Sequence, residues 1–180
     1  MADVEIRRLD RDDDRSSFSC GDAALDRFFQ HYSGQNQFKL HLAVTWVAGR
    51  GSDLLGFATV AGGSIERKSV PDPGLRKRFP DYPLPVLRLA RLGVDRRAQG
   101  LGLGRALVRH VLQLALAQRD VVGCVGVVTD AKADAVGFYE GLGFVRLDGV
   151  REGTLHGDPT PMFLAIATIA AAVKPAATNP

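Results

Sequence analysis

The run Asp95-Arg-Arg-Ala-Gln-Gly-Leu-Gly-Leu-Gly104 places glycines at 100, 102 and 104 immediately before an apolar-periodic stretch. A turn at that point gathers unpaired backbone N–H groups and the positive end of a helix dipole, so it favours an anion. Gly100, Gly102 and Gly104 allow positive φ and close approach of the backbone to a bulky ligand, while Arg96 and Arg97 add positive charge. A pyrophosphate is the natural guest. The spacing excludes a Walker A loop, which needs GxxxxGK and a hydroxyl residue after it, and in a GxGxxG fingerprint the third glycine would fall on Arg105. A plain tight connection would need neither alternate glycines nor two arginines.

The elements that must hold this turn follow from periodicity. Val86–Val94 has the composition of a strand, and Leu101–Gln118 is a helix with Leu103, Leu107, Val111 and Leu114 three and four residues apart. Upstream lie a short strand over Val4–Leu9 and a helix capped by Asp22 that carries Ala24, Leu25, Phe28 and Phe29. Two β-rich runs, His41–Ala48 and Leu54–Ala61, come next. Downstream the pattern gives a strand at Val121–Val128, a helix at Asp130–Gly141, and strands at Phe144–Leu147 and Pro161–Thr168. This order is an α/β sheet with helices on its faces. A dinucleotide-binding fold begins with its glycine turn, whereas here three strands and a helix precede it. Pro71, Pro73, Pro80, Pro83 and Pro85 crowd the segment Arg67–Pro85, which implies a long surface loop without regular structure. One domain over residues 1–168 and a mobile Ala/Pro-rich tail over 169–180 are expected.

Composition narrows the classes. No run approaches the roughly 20 apolar residues of a membrane span, and the N-terminus lacks the order of a signal peptide, so a cytoplasmic protein is expected. Cys20 and Cys124 lie far apart, and His31, His41, His110 and His156 show no ligand spacing, so no metal is expected. The net charge is only +3, yet nine basic residues stand against three acids between Arg67 and Arg97. On spacing alone, Tyr139 is a core aromatic beside Phe138 and Phe144.

Arg97-Ala-Gln-Gly100-Leu-Gly102 matches the Q/R-x-x-G-x-G/A signature of the GNAT superfamily of N-acetyltransferases. Phe18-x-Cys20-Gly21-x-x-x-Leu25-Asp26, Arg91-Leu-Gly-Val-Asp95 and Asp130-Ala-Lys-x-x-Ala-x-x-Phe138-Tyr139-x-x-x-Gly143-Phe144 add to it. Together they resemble the acetyltransferase toxins paired with ribbon-helix-helix antitoxins, over about Phe18 to Phe163. The resemblance implies a GNAT-like fold, with a mixed, mostly antiparallel central sheet of six to seven strands flanked by helices. It implies that Leu92, Gly93 and Val94 meet the pantetheine arm of acetyl-CoA. Arg97, Gln99, Gly100, Leu101, Gly102, Leu103, Gly104, Arg105 and Phe138 complete the implied donor site, and Tyr139 becomes the candidate catalytic acid.

Acetyl transfer to an amine needs a neutral nucleophile and a proton for the departing thiolate. The strand Val86–Val94 carries no Glu or Asp to serve as a base. An α-amine, with a pKa of about 7.7–8.0, is partly neutral without help, whereas a lysine at about 10.4 is not. The toxins resembled acetylate the α-amine of aminoacyl-tRNA, and Arg76, Lys77, Arg78, Arg88 and Arg91 would form the tRNA surface. The same basic segment is otherwise a solvated loop. The alternatives are N-acetylation of a small amine or a protein N-terminus, and a non-catalytic acyl-CoA sensor. An antitoxin and a homodimer are implied by the resemblance only.

Overall fold

The computed structural model describes residues 3–147 and 158–173. Seven strands form one sheet in the order β1-β2-β3-β4-β5-β7-β6. They are β1 (Glu5–Arg8), β2 (Val44–Arg50), β3 (Asp53–Ile65), β4 (Leu84–Val94), β5 (Gly126–Ala131), β6 (Val145–Arg146) and β7 (Thr160–Ala165). Pairing is antiparallel at β1–β2, β2–β3, β5–β7 and β6–β7. The helices are α1 (Ala23–Arg27), α2 (Ser33–Phe38), α3 (Pro73–Arg78), α4 (Leu103–Val121), α5 (Val136–Glu140) and α6 (Ile166–Val173). A π-helical turn, Phe28–Tyr32, joins α1 to α2. The mixed α/β sheet flanked by helices is the fold class expected.

Chain contacts gather into two units, one of residues up to Ala61 with Leu89–Leu112, the other of Gly62–Arg88 with residues from Gln113 onward. The divisions fall inside β3, β4 and α4. The first unit has an aromatic core in which Phe29 stacks on Phe57 (centroids 4.4 Å apart) and meets Phe18 edge-on (4.8 Å), with Leu9, Val47 and Leu54 around them. Phe28 and Phe29 follow α1, whose start is capped by Asp22 accepting the N–H groups of Ala24 and Leu25, and both join Phe18 in that core. Leu103, Leu107 and Val111 form a buried stripe along α4, as their spacing requires. The second unit packs Val86, Val128 and Phe163 together.

Several expectations are corrected: α4 runs on to Val121, so the strand expected over Val121–Val128 begins at Gly126, and β5 runs to Ala131, so the helix expected over Asp130–Gly141 begins at Val136. The proline-rich segment is not devoid of regular structure: Arg67–Ser69 is a 3₁₀ turn and Pro73–Arg78 is α3. Pro73 stands at the start of that helix, where its missing N–H costs nothing, and Asp72 caps it by accepting from Gly74 and Leu75. The strand expected over Pro161–Thr168 ends at Ala165, and the chain continues as α6 through residues 169–173 of the expected tail. Residues 174–180 lie outside the described ones, so the mobility expected there is not addressed. No helix among the described residues is long and apolar enough to cross a membrane.

Candidate active site

The glycine turn leaves β4 at Val94 and enters α4 at Leu103. Its anchor is Asp95, 2% exposed, whose carboxylate accepts from the backbone N–H groups of Ser19 (3.2 Å) and Arg97 (3.0 Å) and from the Arg97 guanidinium (2.9 Å). Burial alone would raise its pKa, but these donors outweigh it and hold the carboxyl below its usual range. The backbone N–H of Asp95 donates to Leu55 O (2.8 Å) and that of Arg96 to Ser19 O (2.9 Å). Gln99 Nε2 donates to both Cys20 O and Val94 O at 2.9 Å.

The Phe18–Gly21 segment therefore braces the turn. It is held in its own right by Asp26, which accepts from Cys20 N–H (2.8 Å) and the Ser19 hydroxyl (3.1 Å). At Gly21 the backbone has φ +93°, and a Cβ there would stand 3.1 Å from Arg96 Nε. Phe18, Cys20, Gly21 and Asp26 are thus a support for the turn, a role their spacing did not announce. Asp95 and Asp53 were also missed. Asp53 takes the outer edge of the Arg97 guanidinium at 3.1 Å.

Gly100 and Gly102 have φ of +76° and +83°, and nothing lies within 4 Å of where their Cβ atoms would be. The side of the backbone where a side chain would stand is therefore open at both glycines. Gly104 departs from expectation: it has no positive φ and belongs to the first turn of α4, because the helix begins at Leu103. Leu101 is 57% exposed, Leu103 is buried, and Arg105 is exposed on α4. The side chains of Arg97 and Gln99, both expected among the donor-binding residues, are directed to the carboxylates and carbonyls just named. On β4, Leu92 and Val94 are half-buried, and Gly93 lets the Phe57 ring in, since a Cβ would meet Phe57 Cε1 at 2.7 Å.

Tyr139 lies on α5 in the second unit, 5% exposed, with its ring edge-on to Phe138 (5.1 Å) and Phe144 (5.4 Å). Its hydroxyl is hydrogen-bonded with the Thr129 side chain of β5. Burial pushes its pKa up, with Thr129 opposing more weakly, so the phenol stays protonated at neutral pH. The aromatic packing read from spacing and a protonated hydroxyl therefore coexist in one residue.

Of the expected tRNA surface, Arg76, Lys77 and Arg78 form the last turn of α3, where cations favour the helix dipole. Arg88 pairs with Asp130 at 3.1 Å. Arg91, in the first unit, lies with its guanidinium 4.1 Å over the Phe28 ring, and burial lowers its pKa. Among the described residues no cluster of His, Cys, Asp and Glu could hold a metal ion.

Residues 41–146 match the profile of the acetyltransferase (GNAT) domain. The tRNA-acetylating toxin of Mycobacterium tuberculosis is 34% identical over 134 residues, which are 74% of this chain and 79% of that protein. AtaT complexed with acetyl-methionyl-tRNAfMet superposes with a TM-score of 0.86 at 27% identity, covering 96% of this chain and 100% of that one. AtaTR bound with acetyl-CoA gives 0.80 at 28% identity, covering 97% and 100%.

Proposed function

Because this chain belongs to the GNAT family of acetyltransferases, we propose that it moves the acetyl group of acetyl-CoA onto the α-amine of aminoacyl-tRNA, blocking translation. The observation that carries the donor half is the pair of positive-φ glycines, open to solvent, at the head of a long helix. Acetyl-CoA supplies its acyl group as a thioester whose departing sulfur must take up a proton. Backbone N–H groups from Gly100 to Arg105 meet the pyrophosphate, and the main chain at Leu92–Val94 meets the pantetheine arm. Arg97 and Gln99 act by holding the turn's shape, and Phe138 flanks the donor. Tyr139 gives the proton from its hydroxyl, which its raised pKa keeps available.

The acceptor half is supported by similarity to a tRNA-acetylating toxin and by the basic face of α3. The absence of a carboxylate on β4 suits an amine already partly neutral at working pH. Arg76, Lys77, Arg78, Arg88 and Arg91 provide counter-charge for phosphates. Such a substrate implies work in the cytoplasm. It also implies a ribbon-helix-helix antitoxin that shields the basic surface, and a homodimer as the working form.

The direct test supplies radiolabelled acetyl-CoA with charged tRNA, small amines and peptides in parallel. Label on the amino acid of charged tRNA is the expected result. Label confined to small amines or peptide N-termini overturns the acceptor, and label on nothing favours a sensor.

A further inference from the structure

The first unit contains an open cleft of about 370 Å³ that the donor site does not use, lined by Ala24, Arg27, Phe28, Tyr32, Asn36 and Arg91. Its size is at the lower end of the range of about 300–1,000 Å³ typical of small-molecule sites. Ala24, Phe28, Tyr32 and Asn36 recur every four residues, a spacing that would drift around a helix of 3.6 residues per turn. The wider π turn at Phe28–Tyr32 offsets that drift and keeps them on one face. Ser33 favours the widening: its hydroxyl donates to Phe29 O (2.7 Å), and its backbone N–H donates to Phe28 O.

The chemistry of the lining is unusual for an apolar acceptor pocket. No lining residue is acidic, and neither Arg27 nor Arg91 has a carboxylate partner among the described residues. Arg91 is held flat against Phe28, which covers one face of the guanidinium and leaves its N–H edge available. Tyr32 lines the cleft and is 49% exposed. An amino acid esterified to tRNA has lost its α-carboxylate and presents an amine, so only an acidic side chain could offer two arginines a charge to match. The anion such a substrate does carry is the phosphodiester.

We propose that this cleft holds a nucleotide of the single-stranded 3′ end of the acceptor tRNA, with its base against Tyr32 and its phosphate on Arg27 and Arg91; the assignment rests on charged tRNA being the acceptor. Asn36, with an amide donor and acceptor, reads the edge of the base. Stacking of this kind adds affinity for any base, and the Asn36 contact adds preference among bases.

The test needs no catalysis. Two uncharged RNA hairpins, one with a single-stranded 3′ end and one blunt, are titrated by fluorescence anisotropy against the wild-type protein and the variants Tyr32→Ala, Tyr32→Phe and Arg27→Gln. The wild type should bind the overhanging hairpin about tenfold more tightly than the blunt one. Tyr32→Phe should keep that preference, while Tyr32→Ala and Arg27→Gln should lose most of it. Thermal melting and acetyl-CoA binding should be unchanged in all three; if Tyr32→Ala fails to fold, the exposed Arg27→Gln position decides. Equal binding of the two hairpins by the wild type, or a preference that survives in Tyr32→Ala, overturns the assignment. A wild-type protein that acetylates charged tRNA but shows no preference overturns the cleft alone. One that acetylates no charged tRNA overturns the function on which the cleft rests.

Discussion

Asp95 and Tyr139 are both almost wholly buried, yet their surroundings have little in common. Around Asp95, backbone N–H groups from Ser19 and Arg97 and the Arg97 guanidinium converge on one carboxylate. Around Tyr139, two phenyl rings pack the aromatic face and a single threonine meets the hydroxyl. The donor turn is therefore a backbone shape kept by side chains that need not touch the ligand. The proposed acid is one phenol oxygen on a ring held by aromatic packing. Substitutions should separate the two plans cleanly.

The sharpest separation is Tyr139→Phe. The ring packing survives, so acetyl-CoA affinity should stay within about twofold, while turnover falls by about 10²–10⁴. Titration calorimetry and single-turnover kinetics measure the two quantities, and wild-type turnover in the variant would remove Tyr139 as the acid. In the unmodified protein, activity should persist with rising pH until the phenol ionises, above its ordinary value of about 10.

Asp95→Asn attacks the other plan. Loss of a buried, charged hydrogen-bond acceptor should cost about 2 kcal/mol of stability and raise the KM for acetyl-CoA, with kcat less affected. Because the folded-state pKa is depressed, the carboxylate's contribution is present above about pH 4 and is lost as pH falls through the folded value. The variant should accordingly show a shallower loss of stability in acid, as followed by denaturant melts at several pH values. Gly102→Val has no neighbour to strike, so its cost is the left-handed backbone, about 1–2 kcal/mol, with roughly tenfold weaker acetyl-CoA binding.

Smaller effects mark the boundary between the plans. Replacing Arg76, Lys77 and Arg78 together by Gln should lower the slope of log affinity for tRNA against log salt by about 2–3, leaving acetyl-CoA binding alone. Gly137, two residues before Tyr139 in α5, has ordinary φ and open space around its Cβ position. Gly137→Ala should stabilise the free protein by about 0.5–1 kcal/mol. A simultaneous loss of acetyl-CoA affinity would show that the glycine serves close approach of the donor.

Much of this was legible in the residues. Asp22 as a helix cap, the buried stripe of α4 and the glycine turn depend on neighbours within a few positions, and local periodicity reports those directly. The Phe18 to Asp26 motif was visible as a pattern, but its task was not. Ser19 meets Asp95, and Gln99 meets Cys20, across more than seventy residues of chain. Helix α3 was missed because proline density was weighed without the position of each proline; Pro73 falls where a helix accepts it.

The type of ligand proposed for the turn rests on the chain alone, since glycines alternating before a helix favour an anion through backbone geometry that no distant contact needs to supply. Which side chains would face that ligand and which would be tied elsewhere was decided only on folding. Arg97 shows why: a guanidinium can pair with a phosphate or with Asp95 and Asp53, and only the three-dimensional positions of those carboxylates select between them.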